Sequence, residues 1–165
     1  MTAPETVVVE ITRLEAAHLT GLIGQFQDIL NASDATADPA VRRLTPDAYR
    51  DDDEASREFR SLTQDDLLER RRDDATIVLA GLAPAAEISD DPADPALRES
   101  VPLALTIEQA HAWLRTLAAV RLVLATRLGI TDADSHVDGD PRFGIYDWLG
   151  YRLDGLVTAV TGDRD

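Results

Sequence analysis

The stretch that decides the fold is Thr106–Ile130, TIEQAHAWLRTLAAVRLVLATRLGI, the longest unbroken helical pattern in the chain and its most apolar segment. On a helical wheel Ala110, Leu117, Leu124 and Leu128 fall on one line, flanked by Trp113, Leu114 and Val120, while Leu122 and Val123 lie outside that arc. Apolar residues on most sides predict a central helix enclosed by several others. Thr106 with Gln109 three residues on has the spacing of a capping box, and Gly129 supplies a left-handed stop.

Working outward, Val101, Leu103 and Leu105 alternate just before that helix, as expected of a strand with one apolar face. The same grammar stands at the other end of the chain. Val7, Val9 and Ile11 alternate with Val8 and Glu10, and Thr12 with Glu15 again has capping-box spacing. A helix follows with Leu19, Leu22, Phe26, Ile29 and Leu30 on one face, ended by the Asn31–Asp38 cluster. One strand-to-capped-helix unit is thus used twice, and two strands related by an approximate two-fold pair antiparallel. Pro102 is tolerated because each strand of a two-stranded ribbon has a free edge. Such a ribbon is marginal alone, so helices must cover its apolar side.

Between the repeats, Pro39–Leu44 reads as a short helix and Thr45-Pro46-Asp47 as a turn. The cluster Asp51-Asp52-Asp53-Glu54 suits the amide dipoles at a helix start better than a cation, opening a helix from about Asp53 through Ser61. Thr63 with Asp66 predicts a second helix, through Leu67, Leu68, Ile77, Val78 and Leu79 toward Leu82. Residues 84–100, PAAEISDDPADPALRES, read as a linker between the two strand-helix halves of a single domain over 1–165. Asp140-Pro141 then opens a last helix that turns Ile145, Leu149, Leu153, Leu156 and Val160 inward. The expected fold is α+β, mainly α, with about five helices and a two-stranded antiparallel ribbon.

Composition closes several function classes. The chain of 165 residues has 31 acidic against 16 basic side chains, a formal charge of -15 that opposes the phosphate backbone. Every basic residue is Arg, as GC-rich coding would give. With no cysteine there is no disulfide, thiolate zinc site, Cys nucleophile or thiol redox switch within this chain. No uncharged apolar run approaches the roughly 20 residues of a membrane span, and the N-terminal stretch lacks a signal-peptide pattern, so the expectation is a cytoplasmic protein with no membrane partner.

Few residues point to chemistry. Arg121 falls inside the apolar arc of the central helix, where it either pairs with an internal acid and fixes helix docking or lines a groove for an anionic ligand or an acidic partner. Arg127, at the edge of the arc, fits either arrangement. Asp134, Asp138, Gly139 and Asp140 match part of a calcium loop, but His136 and Ile145 occupy ligand positions that such a loop cannot give them. Arg70-Arg71-Arg72 lies among Asp66, Glu69, Asp73 and Asp74, the pattern of helical pairs on a solvated face. His18, His111 and His136 have no ligand spacing, and the catalytic, cofactor and metal sets are all expected to be empty. Trp113 on the central helix and Tyr146-Asp147-Trp148 on the last are candidates for an interface, against the alternative that Trp148 packs on a neighbouring element.

The segments Ala112-Trp113-Leu114, Val120-Arg121-Leu122-Val123-Leu124, Thr126-Arg127-Leu128-Gly129-Ile130 and Tyr146-Asp147-Trp148-Leu149 resemble an actinobacterial family of domains of unknown function. Leu44 through Tyr49, Glu58-Phe59-Arg60 and Leu62-Thr63-Gln64-Asp65-Asp66-Leu67 resemble its first half. The resemblance implies a gene near the adaptor of the Clp protease and, for some members, transcription regulation under oxidative stress through binding a sigma factor. A cysteine pair serves redox sensing in those members, and it cannot carry over here. The resemblance therefore favours a non-enzymatic regulatory or adaptor module with a protein partner, such as a sigma factor, polymerase or Clp-related component, and leaves a homodimer open. A second expectation is direct DNA binding by a ribbon-helix-helix-like arrangement, which the outward Val8, Glu10, Pro102 and Ala104 do not favour. A third is a small-ligand or enzyme site around Arg121.

Overall fold

The computed structural model describes residues 6–32, 35–45, 53–130 and 139–162. Among them the strands are β1 (Thr6–Thr12) and β2 (Ser100–Thr106), and the α-helices are α1 (Arg13–Asn31), α2 (Pro39–Arg42), α3 (Asp53–Ala86), α4 (Ile107–Leu128) and α5 (Gly144–Gly162). The fold is α+β and mainly helical, with five helices and one antiparallel ribbon among the described residues.

The pseudo-repeat is realised in the strand register. Thr6 pairs with Thr106 and Thr12 with Ser100, so the ribbon centres on Val9 opposite Leu103 and a two-fold through that pair exchanges the two units. Val7, Ile11, Leu103 and Leu105 are buried, whereas Val8, Glu10, Pro102 and Ala104 face solvent. Both capping boxes form as their spacing predicts. Thr12 Oγ1 accepts from the Glu15 amide at 3.1 Å while Glu15 Oε1 accepts from the Thr12 amide at 3.3 Å. Thr106 and Gln109 repeat this at 3.1 and 2.9 Å. Each box satisfies two amide donors that a bare helix start would leave orphaned.

The central helix is α4, packed against α1, α2, α3, α5 and the ribbon. Trp113, Leu117 and Val120 are buried as the wheel places them, and so is Val123, which the wheel puts outside the arc. The wheel fails there because neighbours surround α4, so no single face defines its buried side. Close approach of α3 is allowed by Gly81, where a Cβ would stand 3.3 Å from Trp113 Cζ2. Arg115 and Asp74 clamp the same pair of helices from outside through two hydrogen bonds of 2.9 and 3.0 Å. Gly129 ends α4 at φ 74°, and Ile130 then donates to Ala125 O at 2.9 Å, the left-handed stop read from the sequence.

Three expectations need correction. The helices expected over Asp53–Ser61 and Thr63–Leu82 are one continuous α3 of 34 residues, within which Thr63 is interior and marks no helix start. A Thr with an acid three residues on caps a helix only where the Thr itself takes the extended backbone, as Thr12 and Thr106 do, and Thr63 stays helical. The same helix runs through Pro84 to Ala86, so the segment read as a linker from residue 84 begins as helix and holds a 3-10 turn at Pro95–Arg98 with Leu97 buried. Pro84 is tolerated in the last turn, and its carbonyl accepts from Arg13 Nη1 at 3.3 Å. Finally, Ile145 is 52 % exposed although its helical phase matches Leu149 and Leu156, because the first turn of α5 borders an open groove against α1. The turn read at Thr45-Pro46-Asp47 and the loop containing Asp134, His136 and Asp138 extend outside the described residues.

A local rule recurs that the sequence shows at each Asp-Pro step. Asp38, Asp91, Asp94 and Asp140 each accept a hydrogen bond from the amide just after the proline, at 2.9, 3.0, 2.9 and 3.0 Å respectively. Proline has no N–H, so the following residue carries the first donor that needs a partner, and the short carboxylate reaches it. Two of these caps, at Asp38 and Asp140, start the segments that lead into α2 and α5.

Candidate functional site

The residues the sequence singles out separate into three places. Trp113 is 2 % exposed and belongs to the core, with its indole N–H unpaired among the described residues, as is the hydroxyl of Thr116 one turn on. Arg127 is tied to Asp38, Nη1 to Oδ1 at 2.9 Å and Nη2 to Oδ2 at 2.5 Å. The Arg127 hydrogen bonds hold the Asp38 carboxyl below its ordinary value, with the Ala40 amide adding to the effect and partial burial opposing it. This fork joins the cap of α2 to the end of α4, a structural task.

Arg121 is the third place, and the internal acid of the ion-pair reading is not beside it among the described residues. The side chain is half-buried rather than sealed, and no carboxylate among the described residues pairs with it. Nε donates to Tyr146 O at 3.2 Å, and the guanidinium lies 3.8 Å from the centroid of the Tyr146 ring. A Cβ at position 150 would stand 3.0 Å from Nη2, so Gly150 makes the room. The cation is held by a carbonyl and a ring quadrupole, which a weakly hydrated guanidinium tolerates better than an ammonium would. Arg121, Tyr146 and Gly150 thereby dock α4 on α5.

The densest polar junction is one that sequence reasoning missed. Glu15 completes the cap of α1 with Oε1, and its other oxygen accepts from Trp148 Nε1 at 2.9 Å and from Arg152 Nη2 and Nε at 2.5 and 3.2 Å. Arg152 Nη1 also donates to Glu10 O at 2.8 Å, so one guanidinium joins α5 to the cap of α1 and to β1. Burial works to raise the Glu15 carboxyl, but the hydrogen bonds of Arg152, Trp148 and the Thr12 amide, with the Arg152 charge, outweigh it and hold the group below its usual value. Trp148 at i and Arg152 at i+4 share one side of α5. That spacing was legible; the acid opposite was not, since Glu15 is 133 residues from Trp148.

Two open clefts flank this junction. One, of about 550 Å³, runs between α1 and the start of α5 and is lined by Leu22, Gly21, Gly144, the exposed Ile145 and Trp148. The other, of about 640 Å³, lies between β1 and α5, with Trp113, Leu117 and Leu156 at its floor and Tyr151 on its rim. Both volumes fall in the range of ligand pockets, roughly 300–1,000 Å³. Exposed apolar side chains on or beside α5 are Ile145, Tyr151 at 73 %, Val157 and, across the second cleft, Val8 at 58 %. Asp147 is half-buried and Trp148 is shared between the first cleft and the junction.

Other candidates are structural in their geometry. Arg72 of the Arg70–Arg72 triplet donates to Leu30 O at 3.2 Å, at the open end of α1, rather than belonging wholly to a solvated face. No group of three or more His, Asp or Glu placed to hold a metal occurs among the described residues. No helix among them is long and apolar enough to cross a membrane.

Residues 1–160 match the family described as a domain of unknown function, DUF2017. The chain belongs to that family. No curated protein and no solved structure matches it. The match spans both strand-helix units and α5, so the junction at Glu15 and the two clefts lie inside the family domain.

Proposed function

We propose that this protein is a non-enzymatic regulatory or adaptor module that acts by binding another protein through the outer surface of α5. The observation that carries this reading is that α5, already packed on α4, exposes Tyr151 at the rim of one open apolar cleft and Ile145 along the other. Large apolar side chains grouped beside concave surfaces are a feature of interaction sites, and Tyr and Trp are favoured there because a stiff ring offers much area for little entropy. The outward face of the ribbon, with Val8, Glu10, Pro102 and Ala104, offers no cation to a nucleic acid.

The partner class is proposed from the sequence resemblance: a component of transcription such as a sigma factor or polymerase, or a Clp-related component. Without cysteine, control by this chain works through occupancy and not through a thiol switch. Affinity capture from the source cell with the full chain, beside Tyr151→Asp, tests the reading. It expects a polymerase, sigma or protease component to be recovered by the native chain and depleted at least fivefold by the variant. Recovery of none, or equal recovery by both, overturns it.

A further inference from the structure

The two edges of the ribbon are not equally closed. Arg13 N donates to Glu99 O at 3.1 Å, and residues 13 and 99 stand opposite each other when the strand register is extended by one step. Hydrogen-bonded and non-hydrogen-bonded pairs alternate in an antiparallel ladder, so Val7, Val9 and Ile11 exchange bonds with β2 while the even residues turn their N–H and C=O outward. Four features agree with this phase. Pro102, which has no N–H, occupies an even position; the amides of Thr12 and Thr106 are free to enter their capping boxes; and Glu10 O is free to accept from Arg152.

On β2 the outward edge is interrupted by Pro102. On β1, Arg152 and Glu15 close the end at Glu10 O and Thr12 N–H, but the N–H and C=O of Val8 and the N–H of Glu10 have no partner among the described residues. These open groups border the larger cleft, which is lined by Val8, Val9, Glu10 and Ile11 and by no described residue of β2. A row of unsatisfied backbone donors and acceptors beside an apolar hollow is the requirement for strand addition, where main-chain bonds give affinity and pockets read alternate side chains.

We propose that this cleft takes an extended peptide segment of a partner protein, added beside β1 at Val8, with an apolar side chain turned into the hollow and basic side chains outside it. The proposal rests on the partner-binding reading above and gives it a site and a mode. Charge chooses the occupant. Glu10 and Asp154 are exposed at the cleft, while Arg152, the one cation lining it among the described residues, is already matched by Glu15. A segment carrying Lys or Arg complements that rim. A second copy of this chain would bring its own Glu10 and a further formal charge of -15 against it.

The test uses the full chain and a phage-displayed library of random dodecapeptides as the probe. Enriched peptides are then measured by fluorescence anisotropy against the native chain, Val8→Pro and Ala104→Pro. Val8→Pro removes one outward N–H, as Pro102 already does on the other strand, and Ala104→Pro makes the same change on the edge not proposed to bind. The expected result is enrichment of sequences alternating apolar and basic residues, bound at least tenfold more weakly by Val8→Pro and unchanged by Ala104→Pro. A peptide N-methylated at alternate amides should lose binding to the native chain to a similar degree, which tests the same bonds without altering the fold. No enrichment, helical spacing of the apolar positions, equal binding by Val8→Pro, or tolerance of N-methylation each overturns the proposal. So does a dimer in sedimentation equilibrium that Val8→Pro dissociates, since the occupant would then be a second copy. If cell-derived partner is still captured by Val8→Pro and is lost with Tyr151→Asp, strand addition fails while the partner-binding reading stands.

Discussion

The two strand-to-helix units share a register, a cap and a helix start, yet they end in different situations because of one functional group. Gln109 spends its side-chain oxygen on the Thr106 amide. Glu15 does the same for Thr12 and has a second, charged oxygen left, on which Trp148 and Arg152 converge. An amide in that place would offer a donor where a third acceptor lone pair is needed. A repeated local motif therefore fixes the ribbon and its flanking helices, while the departure from the repeat decides which unit the last helix docks on. That docking leaves an open cleft along β1.

Glu15→Ala breaks the asymmetry most thoroughly. It removes half of the capping box and strands the half-buried Arg152 and Trp148 donors, and is expected to cost about 2–3 kcal/mol by chemical denaturation. Glu15→Gln makes the first unit resemble the second, keeping the cap but losing the ion pair. Its expected cost is about 1–2 kcal/mol, since hydrogen bonds to a charged group exceed neutral ones. Gln109→Ala removes only cap interactions, for roughly 0.5–1 kcal/mol. Gln109→Glu is expected to change stability by less than about 0.5 kcal/mol, because Thr106 and Gln109 are exposed and no Arg among the described residues bonds to Gln109.

The pH dependence sharpens the same contrast. A carboxyl held below its usual value contributes stability that is fully present above that value and is lost as pH falls through the lowered one. Glu15 and Asp38 are both in this class. Native stability should thus decline on acidification below the ordinary carboxylate range, and Glu15→Gln should decline less steeply. Equal slopes in a denaturation series across acid pH would show that Glu15 is not depressed by its partners.

Much of the fold was legible in the sequence because its signals are local. Alternation at Val7–Ile11 and Val101–Leu105, the caps at Thr12 and Thr106, and the stop at Gly129 each depend on residues within a turn or two. The unbroken α3 was misread because a cap signal at Thr63 states a preference that the chain need not use. Burial of Val123 and exposure of Ile145 were misread because a wheel reports phase, whereas neighbours decide coverage. Of the two arrangements expected for Arg121, an internal acid or a groove for an anionic ligand or partner, the internal acid is replaced by the carbonyl and ring of Tyr146 in the room that Gly150 leaves. The Glu15 junction could not be found by spacing, since its members come from opposite ends of the chain.

Glu15 holds α5 through Arg152, and a double-mutant cycle of Glu15→Gln with Arg152→Met measures that link alone. The expected coupling is about 1–2 kcal/mol, with each single variant destabilised and the double variant less so than their sum. Additivity within roughly 0.3–0.5 kcal/mol would contradict it, because the two side chains would then be neighbours without being partners.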